Sequence, residues 1–173
     1  NSNSTVAVSV NREDYGNTVM GAINFQRGIE RAAFRAGGSD YFVPVQTVGD
    51  FLADKTGTEP KRVIPTYMNG KYRTANLAEV LPNFVVSMLK DGLSAFDRRI
   101  AGFAASDAVL SGAETRTSAP VRIVRGDDMC AVGREGIYPC GEGAGYAGGI
   151  TSAALDGVKT ALAIMEKYRP YGE

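Results

Sequence analysis

The stretch GIYPCGEGAGYAGGI, residues 136–150, decides how the fold is interpreted, because it contains a glycine motif typical of dinucleotide binding. Gly143, Gly145 and Gly148 spell GxGxxG, which opens a Rossmann fold when a strand precedes it and a helix follows it. Such an opening also needs a second strand that ends in Asp or Glu about 20 residues further on. A helical pattern from Ile150 to Tyr168 occupies that stretch instead. The motif therefore does not open a dinucleotide-binding fold.

The same loop nevertheless has the chemistry of an anion site. Its glycines permit positive φ and carry no β-carbons, so a ligand can approach the main chain closely. The helix that follows directs its first amide groups and the positive end of its dipole toward the loop. Two interpretations stay open: a loop that binds a phosphate or another electron-rich oxygen, and a glycine-rich turn that only packs tightly.

Composition excludes several classes of partner. The 173 residues suffice for one ordinary domain, or for two unequal pieces, and 19 Lys and Arg balance 19 Asp and Glu. The charge balance gives no reason to expect nucleic acid, and no apolar run approaches the roughly 20 residues that cross a bilayer. We expect a cytoplasmic protein with neither nucleic acid nor membrane as a partner.

The residue types also limit the chemistry. The chain has no histidine, which excludes a Ser-His-Asp triad, a Cys-His dyad and a His-ligated metal within it. Cys130 and Cys140 are too few for an all-cysteine zinc site and are interpreted as reduced thiols without a role. No metal site is predicted, and no residue is singled out as a catalytic acid or base.

Local patterns in the first half alternate strands and helices. Thr5 to Val10 alternates as a strand does, and a helix capped by Asn17 is expected to stop at Gly37-Gly38. After these come a short extended piece at residues 41–43, a short helix at residues 47–53 capped by Thr47, and a loop at residues 54–73.

The second half contributes two longer helices and three short strands. Asn76 and Glu79 have capping-box spacing, and Pro82 suits the first turn of a helix with an apolar stripe formed by Val85, Leu89, Leu93, Phe96 and Ile100. Strands are predicted at residues 108–110, 121–123 and 137–140. These elements predict a mixed α+β fold with amphipathic helices packed on short sheets.

The last helix has two predicted faces. Its stripe of small residues is expected to pack closely against a sheet or a helix and comprises Ile150, Ala153, Ala154, Gly157, Val158 and Ala161. The opposite face is expected to be solvated and carries Asp156, Lys159 and Lys167.

Four segments together resemble a known family. They are VGDFLA at 48–53, LPNFVVSMLKDGLSAFDRRI at 81–100, GAETRTSAPVRI at 112–123 and GIYPCGEGAGYAGGITSAALDGVKTA at 136–161. The combination is similar to the C-terminal part of a bacterial family of uncharacterised FAD-dependent dehydrogenases, within the group of flavoproteins that have a two-part, Rossmann-like FAD domain. The resemblance covers nearly the whole chain.

The resemblance implies a fragment of a FAD-dependent oxidoreductase. In that group an opening GxGxxG lies in the N-terminal part, and residues 136–150 match the closing motif. The implied division is a substrate-side region at residues 1–104 and the C-terminal part of the FAD domain at residues 105–173. The missing N-terminal FAD-binding domain and a small-molecule substrate are then the expected partners. The longer parent is expected to bind FAD, which the isolated fragment would not retain.

The resemblance also implies which residues face the cofactor. They are Arg116, Thr117 and Ser118 of the ETRTS segment, and Gly141, Glu142, Gly143, Ala144, Gly145, Tyr146, Gly148, Gly149 and Ile150 of the loop. Glu142 matches a position that bonds the ribityl chain or nearby cofactor atoms, and Arg122 would add a positive charge.

Several alternatives stay open from the sequence. Arg116 could instead pair with Glu114, and Tyr146 could either stack near the flavin ring or simply fill the loop. An apolar face left by the missing domain could support a homodimer. A chain that works alone would instead be an α+β binding or structural module without redox activity.

Overall fold

The computed structural model describes residues 2–169, which form two compact units. One unit comprises the chain up to Tyr15 together with Asn24–Glu114, and the other comprises Gly16–Ile23 together with the chain from Thr115 onward. In the described part, four α-helices and a three-stranded sheet form the mixed α+β fold that the sequence predicts. The predicted division at residue 104 stays a prediction.

The sheet lies in the first unit and has the strand order β2-β1-β3. Strand β1 is Val43–Thr47, β2 is Tyr72–Thr74 and β3 is Val109–Ser111. The β1 and β2 strands run parallel with Val45 opposite Thr74, whereas β1 and β3 run antiparallel with Val45 opposite Ser111. The central strand is therefore β1, and it is almost entirely buried.

A buried glutamine connects the central strand to its surroundings. The Gln46 side chain is 3% exposed, and its Oε1 accepts a hydrogen bond from the Leu77 backbone N–H at 2.9 Å. Its Nε2 donates to the Lys55 carbonyl at 2.6 Å. Because both ends of the amide are bonded, this polar side chain is compatible with the core.

Helices cover the sheet of the first unit through one apolar cluster. Helix α1 is Val19–Ala36, α2 is Val48–Leu52 and α3 is Asn83–Asp97. The cluster of buried side chains comprises Ala33, Val48, Phe51, Leu77, Val80, Val86 and Leu93. Of the stripe predicted for α3, Val85 and Leu93 are buried, and Phe96, 41% exposed, packs edge-on against Phe103 at 5.3 Å between ring centroids. Ile100 lies beyond the end of α3 and is 59% exposed.

The helix caps follow the sequence closely. Thr47 Oγ1 accepts from the Asp50 N–H at the start of α2, as predicted. Asn76 Oδ1 accepts from the Ala78 N–H at 3.1 Å, and its Nδ2 donates to Glu79 at the same distance. This cap begins a short 3-10 turn, Leu77–Glu79, and α3 starts only after Pro82. At α1 the cap is Thr18 rather than Asn17, because Thr18 Oγ1 accepts from the Gly21 N–H.

The strand predictions were partly wrong. Residues 5–10 form no strand, although Val6 packs against the apolar cluster, because alternation predicts a buried face but not a neighbouring strand. The extended piece predicted before Pro44 continues through it to Thr47, and the predicted loop at 54–73 ends in β2. Residues 108–110 correspond to β3, shifted by one residue.

The second unit contains little regular structure apart from α4, Ile150–Lys167, and the first residues of α1. Residues 121–123 and 137–140 are not strands; only an isolated bridge between Arg125 and Ala131 occurs nearby. Their backbone groups instead bond to loops and side chains, as when the Ala131 N–H donates to the Ile137 carbonyl at 2.7 Å. In the described residues, none of the helices combines the length and apolar character required to span a bilayer.

Replacing Gln46 with Met should lower the free energy of unfolding by about 1–3 kcal/mol, because the buried Leu77 N–H would lose its acceptor. Urea unfolding followed by circular dichroism measures the change. The control is Lys61→Met, at an exposed position, which should change the free energy by less than about 0.5 kcal/mol. Equal stability of the Gln46 variant and the wild type would contradict the assigned role.

Candidate functional site

The glycine loop, defined as Gly141–Gly149, leads directly into α4. Two tight hydrogen bonds shape its first half: Gly145 N–H donates to the Glu142 carbonyl at 2.9 Å, and Tyr146 N–H donates to the Gly141 carbonyl at 3.0 Å. Gly141 and Gly145 have φ of 71° and 83°. These two positions therefore need glycine for backbone conformation.

The three glycines of the GxGxxG motif differ in what a β-carbon would meet. At Gly145 it would lie 2.6 Å from the Val121 carbonyl oxygen, so the neighbouring backbone excludes a side chain. At Gly148 it would lie 3.8 Å from the Thr117 carbonyl oxygen, an ordinary contact. At Gly143 it would meet nothing within 4 Å, and φ is not positive. The fold of this chain requires Gly145 but gives no reason for Gly143.

The structure brings the ETRTS segment next to the glycine loop. Thr117 lies against Gly148, and Arg116, Thr117 and Ser118 are all exposed. Just beyond this segment, Arg122 Nε donates to the Gly145 carbonyl at 2.9 Å, and the Ile123 N–H donates to the Ala144 carbonyl at 3.2 Å. The two segments singled out from sequence thus form one continuous surface.

The Tyr146 side chain is anchored inside the loop. Its hydroxyl donates to the Ile123 carbonyl and accepts from the Arg125 N–H, each at 3.1 Å. The Arg125 guanidinium lies 3.7 Å from the ring centroid, and the Arg122 guanidinium lies 5.0 Å from it. This geometry favours the interpretation in which Tyr146 fills and fixes the loop.

A largely buried ion pair holds the loop from the side of α4. The Arg125 guanidinium binds both carboxylate oxygens of Asp156, at 2.9 and 2.6 Å, and the two side chains are 8% and 14% exposed. Arg125 also donates to the Pro139 carbonyl at 2.7 Å, and the Gly141 N–H donates to Asp156 at 2.9 Å. Hydrogen bonds from Arg125 and Gly141 lower the pKa of Asp156 from its ordinary 3.8 to about 2.

This ion pair corrects the predicted orientation of α4. Asp156 was expected on a solvated face, but it lies on the packed side with Ala153 and the buried Thr160. The exposed side carries large apolar residues, namely Ile150, Leu155, Val158, Leu162 and Met165. Ile150 is 93% exposed. The prediction was therefore wrong for Asp156 and for Ile150, Ala154, Val158 and Ala161, which are exposed, whereas Lys159 and Lys167 are exposed and Ala153 and Gly157 are half-buried as expected.

The start of α4 adds polar groups to the loop surface. The Gly149 N–H donates to Ser152 Oγ at 3.2 Å, and Ser152 Oγ donates back to the Gly149 carbonyl. The first backbone N–H groups of this 18-residue helix have no carbonyl partner in the helix itself. Together with the exposed backbone of Gly143 and Gly148, these N–H groups form a surface suited to an electron-rich ligand atom.

The remaining candidates for chemistry contribute little. Among residues 2–169 no cluster of three or more His, Cys, Asp or Glu side chains could hold a metal ion. Cys130 is a buried thiol whose Sγ donates to the Arg134 carbonyl, and Cys140 is an exposed thiol.

Comparison with known proteins identifies the family. The model of the family described as "FAD-dependent protein, C-terminal domain-like" matches residues 1–117, about two thirds of the chain. The chain belongs to this family. The match includes Arg116 and Thr117 but ends before Ser118 and the glycine loop. Membership in the FAD-dependent family therefore rests on the region before the loop.

A relative extends the similarity across the loop. An "Uncharacterized protein" of Clostridium beijerinckii (strain ATCC 51743 / NCIMB 8052) is 48% identical over 169 residues, which is 97% of this chain. The chain spans only 32% of the length of that relative. The match thus includes the glycine loop, and the similar region makes up about a third of a longer protein.

Arg125 and Asp156 are the important residues that sequence reasoning missed. Asp156 stands in the helical run AALDGV, between apolar and small residues, where a purely solvated carboxylate is unusual. Arg125 lies 31 positions earlier and has no sequence feature that links it to Asp156. In the sequence, Asp156 gave a weak indication of a buried ion pair, and Arg125 gave no indication of it.

Replacing Gly145 with Ala should destabilise the chain by at least about 1 kcal/mol, because positive φ and the Val121 carbonyl both oppose a β-carbon. Gly143→Ala, the matched control in the same loop, should change the free energy of unfolding by less than about 0.5 kcal/mol. Urea unfolding of both variants measures the difference. Equal effects would contradict the described loop geometry.

The low pKa of Asp156 predicts a loss of stability in acid. A carboxylate with a folded-state pKa of about 2 stabilises the fold fully above its ordinary 3.8, and this stabilisation disappears as the pH falls through about 2. Urea unfolding between pH 5 and pH 2 should show a steeper loss for the wild type than for Asp156→Asn. A carboxyl-carbon NMR titration should give Asp156 a midpoint well below 3.8, and an ordinary midpoint would refute the ion pair.

Proposed function

We propose that this chain is the C-terminal part of a FAD-dependent oxidoreductase that acts on a small molecule, and that its glycine loop lies against the flavin. The observation that carries the proposal is the family match over residues 1–117, which ends at Thr117, whose carbonyl oxygen would lie 3.8 Å from a β-carbon placed on Gly148 of the glycine loop. Bound FAD would supply the hydride transfer, and the protein would supply orientation and electrostatics.

The chemistry of the loop surface suits the electron-rich edge of a flavin. The N-terminal amides of α4 and its positive dipole end favour negative charge, which develops at N1 and the C2 carbonyl when a flavin is reduced. Glu142 is exposed and suits a hydrogen bond with a ribityl hydroxyl group. Arg122 is exposed beside Gly145 and adds positive charge to the same surface. Arg116, Thr117 and Ser118 are proposed to border the cofactor or the substrate.

Gly143 supports close approach of a ligand. Nothing in the described chain lies within 4 Å of the place where its β-carbon would be, so the space over this residue is open to an external group. A glycine without an internal reason is consistent with a backbone surface kept clear for a cofactor. Gly145 differs from Gly143, because the Val121 carbonyl already excludes a side chain there.

The exposed apolar face of α4 supports a further domain as partner. Ile150, Leu155, Val158, Leu162 and Met165 are all more than half exposed, and the relative that is 48% identical over nearly this whole chain is about three times as long. We propose that the additional part of such a longer protein carries the opening half of the FAD domain and covers this face. The whole protein is proposed to be cytoplasmic.

The test compares the 173-residue chain with the longer protein, meaning the proposed protein in which this sequence is joined to the additional part that carries the opening half of the FAD domain. The longer protein should purify with visible flavin absorbance, and the isolated chain should be colourless. In the longer protein, Gly143→Val should weaken FAD binding roughly tenfold or more, because a branched side chain would occupy the open space. Gly28→Val is the control, since Gly28 is an exposed glycine of α1 that also has nothing within 4 Å.

Two outcomes would count against the proposal. A longer protein that stays colourless even after addition of FAD would support a binding or structural module without redox activity. If the longer protein contains flavin but its Gly143→Val and Gly28→Val variants bind FAD equally well, the proposal that the glycine loop lies against the flavin would be refuted. If α4 instead mediates a homodimer, sedimentation of the longer protein would show a dimer that Leu162→Glu separates without loss of flavin.

A further inference from the structure

We infer that Asp156 is a positioning residue, which fixes the conformation of the glycine loop at both ends of the segment from Gly141 to Tyr146. The inference deepens the proposed function and rests on it for its relevance to FAD. Asp156 touches neither Glu142 nor Gly143 through any described hydrogen bond; it acts through Gly141 and Arg125.

The first end of the segment is held directly. Asp156 Oδ2 accepts from the Gly141 N–H at 2.9 Å, at the point where the chain enters the loop with positive φ. Asp156 itself is fixed by its place in α4, where the Thr160 hydroxyl also donates to its carbonyl at 2.9 Å. The hydrogen bond to Asp156 therefore fixes the loop entrance relative to a rigid helix.

The second end is held through one intermediate residue. Asp156 orients the Arg125 guanidinium by a two-point contact, and that guanidinium lies 3.7 Å from the centre of the Tyr146 ring. The Arg125 backbone N–H also donates to the Tyr146 hydroxyl. Since Tyr146 N–H closes the turn onto the Gly141 carbonyl, both ends of the segment depend on the same carboxylate.

The burial of the pair makes this dependence strong. With exposures of 8% and 14%, neither charge can be fully rehydrated in place if its partner is lost. Between the two held ends, Glu142 and Gly143 remain exposed. The buried network therefore orders the loop from its packed side and leaves the exposed surface proposed for the flavin unobstructed.

The experiment uses Asp156→Asn, which keeps the shape of the side chain but removes its charge. In the 173-residue chain, hydrogen exchange of the bonded Gly145 and Tyr146 amides should accelerate roughly tenfold or more, because the loop loses its fixed conformation. In the longer protein, FAD should bind roughly tenfold more weakly and the visible circular dichroism of the flavin should change. Asp107→Asn is the matched control, because it breaks the exposed Arg62–Asp107 pair of the other unit and should leave both readouts unchanged.

A double variant separates positioning from stability. Arg125→Met combined with Asp156→Asn leaves no unpaired buried charge, so its thermal midpoint should return toward that of the wild type. Its loop amides should nevertheless exchange as fast as in the single variant, because the contacts of the Arg125 guanidinium with the Pro139 carbonyl and the Tyr146 ring are gone. Wild-type exchange rates in the double variant would reduce Asp156 to a stabilising residue and overturn the inference.

The outcomes distinguish this inference from the proposed function. A wild-type longer protein that binds no FAD would refute the proposed function, while the exchange measurements would still test the positioning. A flavin-containing protein in which Asp156→Asn changes neither exchange nor FAD affinity would refute the positioning alone. If Asp156→Asn does not fold, the double variant with Arg125→Met, which leaves no unpaired buried charge, is compared directly with the wild type; unchanged exchange at Gly145 and Tyr146 would refute the inference.

Discussion

The ion pair between Arg125 and Asp156 organises the second unit, because that unit has almost no ladder of backbone hydrogen bonds to do so. Between Thr115 and Gly149 the chain is irregular, and its buried residues, such as Cys130, Ala131 and Ala144, are small. Backbone groups in such a region need other partners. Arg125 supplies one to the Pro139 carbonyl, and Asp156 supplies one to the Gly141 N–H. A two-point contact between planar groups also fixes direction, which a single apolar contact does not.

This arrangement explains the unusual orientation of α4. The helix turns Asp156 and Thr160 toward its own unit and leaves Leu155, Val158 and Leu162 outside. In a domain that is complete by itself, the apolar side would normally face inward. In α4 the polar side instead binds Arg125 and the loop backbone at Gly141 through Asp156. The apolar side is left exposed.

The local parts of the fold could be predicted from sequence, and the non-local parts could not. Thr47 and Asn76 were correctly predicted as caps because each bonds a backbone N–H within three residues, although Asn76 caps a 3-10 turn and the cap predicted at Asn17 is Thr18. The strands predicted at residues 121–123 and 137–140 were wrong because a strand needs a partner, which no local pattern specifies. For the site, sequence identified the loop and the adjacent segment, but it could not distinguish a solvated Asp156 from one paired with a residue 31 positions away.

The unequal surroundings of the motif glycines bear on how such motifs change over time. Gly145 is constrained by the chain's own backbone, whereas Gly143 faces open space. If the loop lies against FAD as proposed, a descendant that lost FAD would still be selected to keep Gly145 and would be free to replace Gly143. Under that proposal, the glycines retained among distant relatives would distinguish those that bind FAD from those that do not, even where the fold is unchanged.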